Sequence, residues 1–399
     1  MRLVILNWSE GENDPFSYFS AQWREQLERA GHDVHIVPLD VETILALALL
    51  QQEHPIDLAF CWQGIGSTLV PDGFEQTIWE VLRVPLVCLH ADHPCYNPFN
   101  HQQSSAFILH LYGQASFASA ANRYVSRQWP AIEGNYPSLL QRTHAPAPFA
   151  GDYFVLAKNI QDMDDVHREW KTRCDAPTYA LLADIAAAIE QAYLDGNRVN
   201  HHDVILQSAP SALRQRIMTG QPDPSAVNVL FQLTRELDRV HRIVASMFIV
   251  DALPDVPLRV YGRGWDRYMA RGNPNHEFFP ADVAERSGYQ YQSNFGILDV
   301  ASSNDMLHDR TWRAIQHGSG FLISSAWERG GAIHSEFTEL FFGGDQAELQ
   351  RKVAAVLRDP DGHRARCGAF ADRVEAATLS TAQFLEFVEG HIAARALRP

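Results

Sequence analysis

Two short runs, Asp57 to Cys61 and Pro85 to Leu89, are apolar at nearly every position rather than at every second one. A strand with one wet face alternates, whereas a strand covered on both faces does not, and doubly covered strands belong to parallel sheets flanked by helices. Further apolar strands at residues 2–6 and 33–37, with the two runs extended to 57–61 and 85–90, alternate with helical stretches around 16–31, 42–53 and 73–82. Strand and helix in regular alternation predict a parallel α/β sheet, so the first part of the chain reads as a Rossmann-like domain. The length of 399 residues leaves room for a second domain of ordinary size.

The second half carries a more explicit unit. A helix starts near Asp309, places Trp312 and Ile315 on its apolar side, and stops at Gly318, a residue suited to the left-handed cap conformation. Phe321 to Ile323 then form a short buried strand, which exits into the polar segment Ser324 to Gly331. In open α/β sheets ligands sit outside the carboxyl ends of strands, so that exit is a candidate binding edge. Upstream, the strand Leu258 to Tyr261 runs into Gly262, Arg263, Gly264 and Trp265; downstream, Asp345 opens a helix that reaches Arg358, Asp359 and Pro360.

These features together resemble the donor-binding half of a GT-B glycosyltransferase, and more narrowly the bacterial spore-maturation-type (CgeB-like) glycosyltransferases. In those, an arginine-led helix precedes a glycine, a buried strand, a loop and a helix ending near Asp-Pro. The resemblance is clearest over roughly residues 250 to 385 and thinner in the N-terminal half, where Val87 to Pro94 resembles that family's strand followed by an Asp-x-Pro turn. Arg313 departs from the pattern, standing where many GT-B enzymes place a glutamate for the donor ribose. The resemblance implies two Rossmann-like domains facing across a cleft. The proline-punctuated stretch Thr143 to Phe149 reads as the boundary. The expected division is therefore 1–148 for the acceptor domain, 149–380 for the donor domain, and 381–399 for a final helix returning to the first. Residues 160–250 show helical spacing and read as an enlarged helical insert in the second domain.

The implied activity is hexosyl transfer from a nucleotide-sugar donor, with no metal and no other cofactor. The sequence leaves the acceptor open among protein, surface polysaccharide, lipid-linked sugar and small metabolite. A non-catalytic GT-B-like binding subunit, or a sugar-nucleotide epimerase or phosphorylase, stand as alternatives on the same fold. Departing phosphates need positive charge, which helix N-termini, backbone amides, Arg and Lys supply. Arg310 at its helix start is the first candidate, followed by Arg263 in the Gly-Arg-Gly turn and Lys158 after a strand. Gly262 and Gly264 would let backbone approach a ligand closely, and Trp265 would pack against a base or in the core. His308 would meet a phosphate or stay solvated, while Ser324, Ser325 and Glu328 suit sugar hydroxyls or a diphosphate oxygen. For an inverting reaction the acceptor's proton needs a base. Asp92 is preferred, and Asp14, in the loop with Glu10 and Glu12, comes second; a retaining reaction requires neither.

Composition narrows the remaining classes. Apolar residues make up 46% and charged ones 20%, the balance of a globular chain. A net charge of -15 argues against a nucleic-acid partner, which calls for a basic stripe. No apolar run approaches the ~20 residues of a bilayer crossing, so no integral membrane segment is expected. Five cysteines without paired metal-type spacing suggest reduced thiols and a cytoplasmic location. His90, Asp92, His93 and His101 are set aside as a metal site, because neighbouring side chains of a strand point to opposite faces.

Overall fold

The computed structural model describes residues 1–8, 15–125, 128–134, 152–195, 201–219, 223–279, 294–300, 309–324 and 335–396. The chain divides into two compact units, one formed by Met1–Leu139 with Glu375–Pro399 and the other by Leu140–Val374. Each is a mixed α/β unit built on a six-stranded sheet whose pairings are all parallel.

The first unit contains β1 (Arg2–Asn7), β2 (Asp33–Pro38), β3 (Leu58–Trp62), β4 (Leu86–His90), β5 (Ile108–Tyr112) and β6 (Ile132–Glu133), in the order β2-β1-β3-β4-β5-β6. Its helices are α1 (Pro15–Arg29), α2 (Thr43–Glu53), α3 (Ile78–Leu82) and α4 (Ala115–Tyr124). Both faces are packed, and successive residues divide between them. Leu3, Ile5, Leu58 and Phe60 join Trp23 and Leu27 on one side, while Val4, Leu6, Ala59 and Cys61 join Leu47 and Trp79 on the other. This two-sided burial is why β3 and β4 show no alternation.

The 73–82 stretch is helical only over Ile78–Leu82, where Thr77 and Glu80 close a capping box and fix the start. Beyond Leu111 the sequence pattern weakens, because the buried face of α4 mixes three small residues, Ala118, Ala120 and Ala121, with only two bulky ones, Phe117 and Tyr124. The C-terminal helix Thr381–Ala396 lies in this unit, with Phe384 set 5.6 Å from the Trp23 ring and 6.3 Å from that of Phe60.

In the second unit β7 (Phe154–Ala157), β8 (Leu258–Tyr261), β9 (His276–Phe279), β10 (Gly296–Val300), β11 (Phe321–Ser324) and β12 (Phe341–Phe342) lie in the order β12-β11-β10-β7-β8-β9. Read from the other edge and renumbered within the unit, this is 3-2-1-4-5-6, the dinucleotide-domain order, whose direction reverses between β7 and β10. The connection from β7 to β8 holds α5 (Met163–Arg173), α6 (Ala176–Leu194), α7 (His201–Ser208), α8 (Ser211–Met218) and α9 (Pro224–Ala252). The helical spacing of 160–250 is thus realised as five helices inside one parallel crossover. After β8 come α10 (Asp266–Met269) and, following β10, α11 (Asp309–Gln316). Gly318 adopts φ +64°, and the Ser319 N–H reaches back to the Ala314 carbonyl at 2.9 Å, closing α11 with the left-handed cap its sequence predicts. Trp312 and Ile315 pack into the cluster of Phe321, Ile323 and Phe370. Among the described residues, no helix is long and apolar enough to cross a membrane.

Candidate functional site

The reversal point of the second sheet gathers its charged residues. Lys158 follows β7, Asp299 lies near the end of β10, Arg310 and Thr311 open α11, and Asp238, His241 and Arg242 come from one face of α9. Asp299 is wholly buried, and its Oδ2 accepts a 2.6 Å hydrogen bond from the Thr311 hydroxyl. Arg242 donates from Nε to Asp238 Oδ2 at 2.8 Å. Lys158 is only 7% exposed. Burial, reinforced by Arg310 and Arg242, holds its ammonium well below the usual lysine range, against the opposing pull of Asp299 and Asp238. Burial likewise lowers His241 to about 4, with Asp238 opposing and Arg242 and Lys158 assisting. Lys158, Arg242 and Arg310 thus meet Asp238 and Asp299 at the crevice outside the strand ends, where open α/β sheets bind ligands.

The turn after β8 fixes Lys158 in this crevice. The Lys158 N–H donates to Tyr261 O at 2.8 Å, Ile160 N–H to Arg263 O at 2.9 Å, and Arg263 N–H to Asn159 Oδ1 at 2.8 Å. The indole N–H of Trp265 caps the arrangement by donating to Lys158 O at 2.8 Å. A Cβ on Gly262 would stand 2.0 Å from Lys158 O, and one on Gly264 would stand 2.0 Å from Ile160 O. The close approach that these glycines allow is thus to the 158–160 backbone, where sequence suggested a ligand. Trp265, 2% exposed, is a core side chain and presents no free ring face to a base or sugar. Arg263 is exposed on the same turn.

Ser324, also buried, has its hydroxyl bonded to the Tyr193 hydroxyl at 3.2 Å. It ties α6 to the end of β11 and is committed within the protein. His308, Ser325 and Glu328 lie outside the described residues, as does Asp14 of the first unit. Sequence reading missed Asp238, His241 and Arg242. Their signal is a polar Asp-x-x-His-Arg interruption in the buried stripe that Leu230, Leu237, Val244 and Ile249 otherwise carry along α9.

In the first unit Asp92 is exposed and accepts a 2.9 Å hydrogen bond from Gln63 Nε2. Gln63 follows β3 in the left-handed region, at φ +53°, a conformation that costs a non-glycine residue about 1–2 kcal/mol. Its Oε1 is buried without a hydrogen-bond partner among the described residues. Sequence spacing does not reveal that this strained residue aims its amide at Asp92. His93 accepts from the Cys95 N–H at 3.1 Å and so belongs to the local turn. No family model matches the chain, and no curated protein is similar to it.

Proposed function

We propose that the protein is a GT-B-type glycosyltransferase that moves a sugar from a nucleotide-sugar donor to an acceptor without a metal in the transfer step. The observation that carries this reading is the placement of buried Lys158 with the half-buried Arg242 and Arg310 at the reversal point of a sheet with dinucleotide-domain strand order. A diphosphate seated there would meet Arg310 at the start of α11 and the Lys158 ammonium. Both stabilise the negative charge that grows on the phosphates as the sugar departs. Burial of Lys158 strengthens its part of the interaction, and the turn around Gly262 to Trp265 fixes the Lys158 backbone before the donor arrives. In an inverting course Asp92, held by Gln63, would take the acceptor's proton.

The test is thermal denaturation of the whole chain against a panel of nucleoside diphosphates and nucleotide sugars, with and without Mg²⁺, for wild type and Arg310→Ala. Selective stabilisation that needs no Mg²⁺ and is lost in the variant is the expected result. The proposal falls if no nucleotide raises the melting temperature of the wild type. A donor-binding subunit without catalysis is the second reading, favoured by Arg313 in place of the ribose-type glutamate. Tight nucleotide-sugar binding with no release of nucleoside diphosphate, across acceptors and water alike, would select it.

A further inference from the structure

We propose that Cys88, His90 and His110 form a buried binding site for a soft divalent transition-metal ion, zinc being the best match to the donors, which pins β4 to β5 in the first unit. Cys88 and His90 are two residues apart on β4 and share a face, and the parallel register sets His110 of β5 beside Cys88. One ligand atom from each residue lies within 4.8 Å of the other two, and all three side chains are buried. His90 Nε2 and His110 Nδ1 are 2.9 Å apart. Two imidazole nitrogens on a tetrahedral zinc sit about 3.3 Å apart, and a thiolate and an imidazole about 3.6 Å, from Zn–N near 2.05 Å and Zn–S near 2.3 Å. Shifts of about an ångström or less therefore convert the observed cluster into a coordination shell.

The surrounding contacts favour coordination. His110 Nε2 donates to the Gln103 carbonyl at 2.8 Å, which puts its proton on Nε2 and leaves the Nδ1 lone pair facing His90. An outer hydrogen bond of this kind orients a metal-ligating histidine. The His90 ring is stacked on those of His101, at 4.2 Å, and Tyr112, at 4.5 Å, so its plane is fixed. Cys61 lies opposite Cys88 on β3, with Sγ atoms 3.5 Å apart, and its thiol donates to Cys88 Sγ.

The same face is apolar nearer the strand starts, at Val4, Leu86 and Ile108. A zinc ion would replace the His90–His110 hydrogen bond with two Zn–N bonds and add a bond to the Cys88 thiolate, donors it prefers. Loading exchanges the Cys88 thiol proton for the metal bond and moves the His90 proton from Nε2 to Nδ1. One proton is thus released for each ion bound through these three ligands. The site is enclosed, so its role is structural and separate from the transfer step proposed above.

Cobalt(II) titration of chelator-treated full-length protein tests the site directly. The expected result is one ion per chain, with the intense visible bands of tetrahedral cobalt and a thiolate-to-cobalt charge-transfer band, both erased by added zinc. Cys88→Ser abolishes the charge-transfer band, and Cys174→Ser, at a partly exposed position on another unit, keeps it. A wild-type cobalt spectrum without the charge-transfer band overturns the proposal whatever the variants do, as does a band that persists in folded Cys88→Ser.

Discussion

Replacing Gly264 by alanine isolates the contact that holds the Lys158 turn, because Gly272 provides a matched control. Gly264 has φ +88° and Gly272 has φ +65°, so alanine at either position meets the left-handed backbone cost of about 1–2 kcal/mol. Around Gly272 nothing lies within 4 Å of the new Cβ, whereas at Gly264 the Ile160 carbonyl oxygen would be 2.0 Å away. Carbon and oxygen do not sit comfortably below about 3.3 Å, so the 158–160 backbone would have to retreat by about 1.3 Å. Overpacking of this kind costs about 1–3 kcal/mol, and loss of the Ile160 hydrogen bond to Arg263 adds about 1 kcal/mol. Gly264→Ala should therefore be less stable than Gly272→Ala by about 2–4 kcal/mol, which for a unit of this size lowers the melting temperature by about 5–15 °C more. Differential scanning calorimetry of the two variants reads this difference. Equal melting temperatures would refute the claim that the Gly-x-Gly turn exists to let two backbone segments meet.

Three further outcomes follow from the same crevice. Lys158→Met, close in volume and without the buried charge, should be at least as stable as wild type at neutral pH while losing nucleotide binding, since a buried charge is often replaced by an apolar group at no cost; parallel melting and binding curves check this. The depressed Lys158 pKa means that the unfolded chain binds more protons in the alkaline range below the ordinary lysine value. Wild-type stability should therefore rise with pH through that window, and the Lys158→Met curve should be flatter. His241, lowered to about 4, works in acid with the same sign: stability is lost as pH falls from the ordinary histidine value near 6.5 toward 4, by on the order of 3 kcal/mol. His241→Phe should remove that loss in urea denaturation at pH 7 and pH 4.5, and an unchanged acid slope would count against it.

Strands β3, β4 and β11 are legible because burial on both faces leaves a local signature, unbroken apolar runs bounded by turn residues, whereas β5, β9 and β10 carry polar residues such as His110, Glu277 and Asp299 and do not stand out. The α11 stop was equally legible, since a left-handed cap demands Gly318 within a few residues of the apolar stripe. What failed to show were features made by residues far apart in the chain. Gly262 and Gly264 announce a close backbone approach, yet only the fold identifies the partner as Lys158 to Ile160. Asp238 and Arg242 reach the crevice from a helix about eighty residues beyond Lys158, and nothing in their local spacing names Lys158 or Asp299 as neighbours. His90 was judged with Asp92 and His93, its neighbours in sequence, whereas its geometric partners are Cys88 on the same face and His110 on the adjacent strand. A sheet face pairs residues by register, so a cluster formed across strands is invisible to any test of spacing along one of them.

The crevice is a poor device for stability, and that bears on its purpose. An ammonium enclosed beside two guanidinium groups incurs desolvation and repulsion that Asp238 and Asp299 offset only in part, as the lowered Lys158 pKa records. An apolar side chain after β7 would avoid both penalties. What the charged arrangement provides is a buried ammonium beside two guanidinium groups, on a backbone held by the 158–160 hydrogen bonds. An anion bound beside Lys158 would raise the proton affinity of its side chain. Under the proposed function, such an arrangement suits a ligand whose negative charge grows during reaction, as the charge on a departing nucleoside diphosphate does.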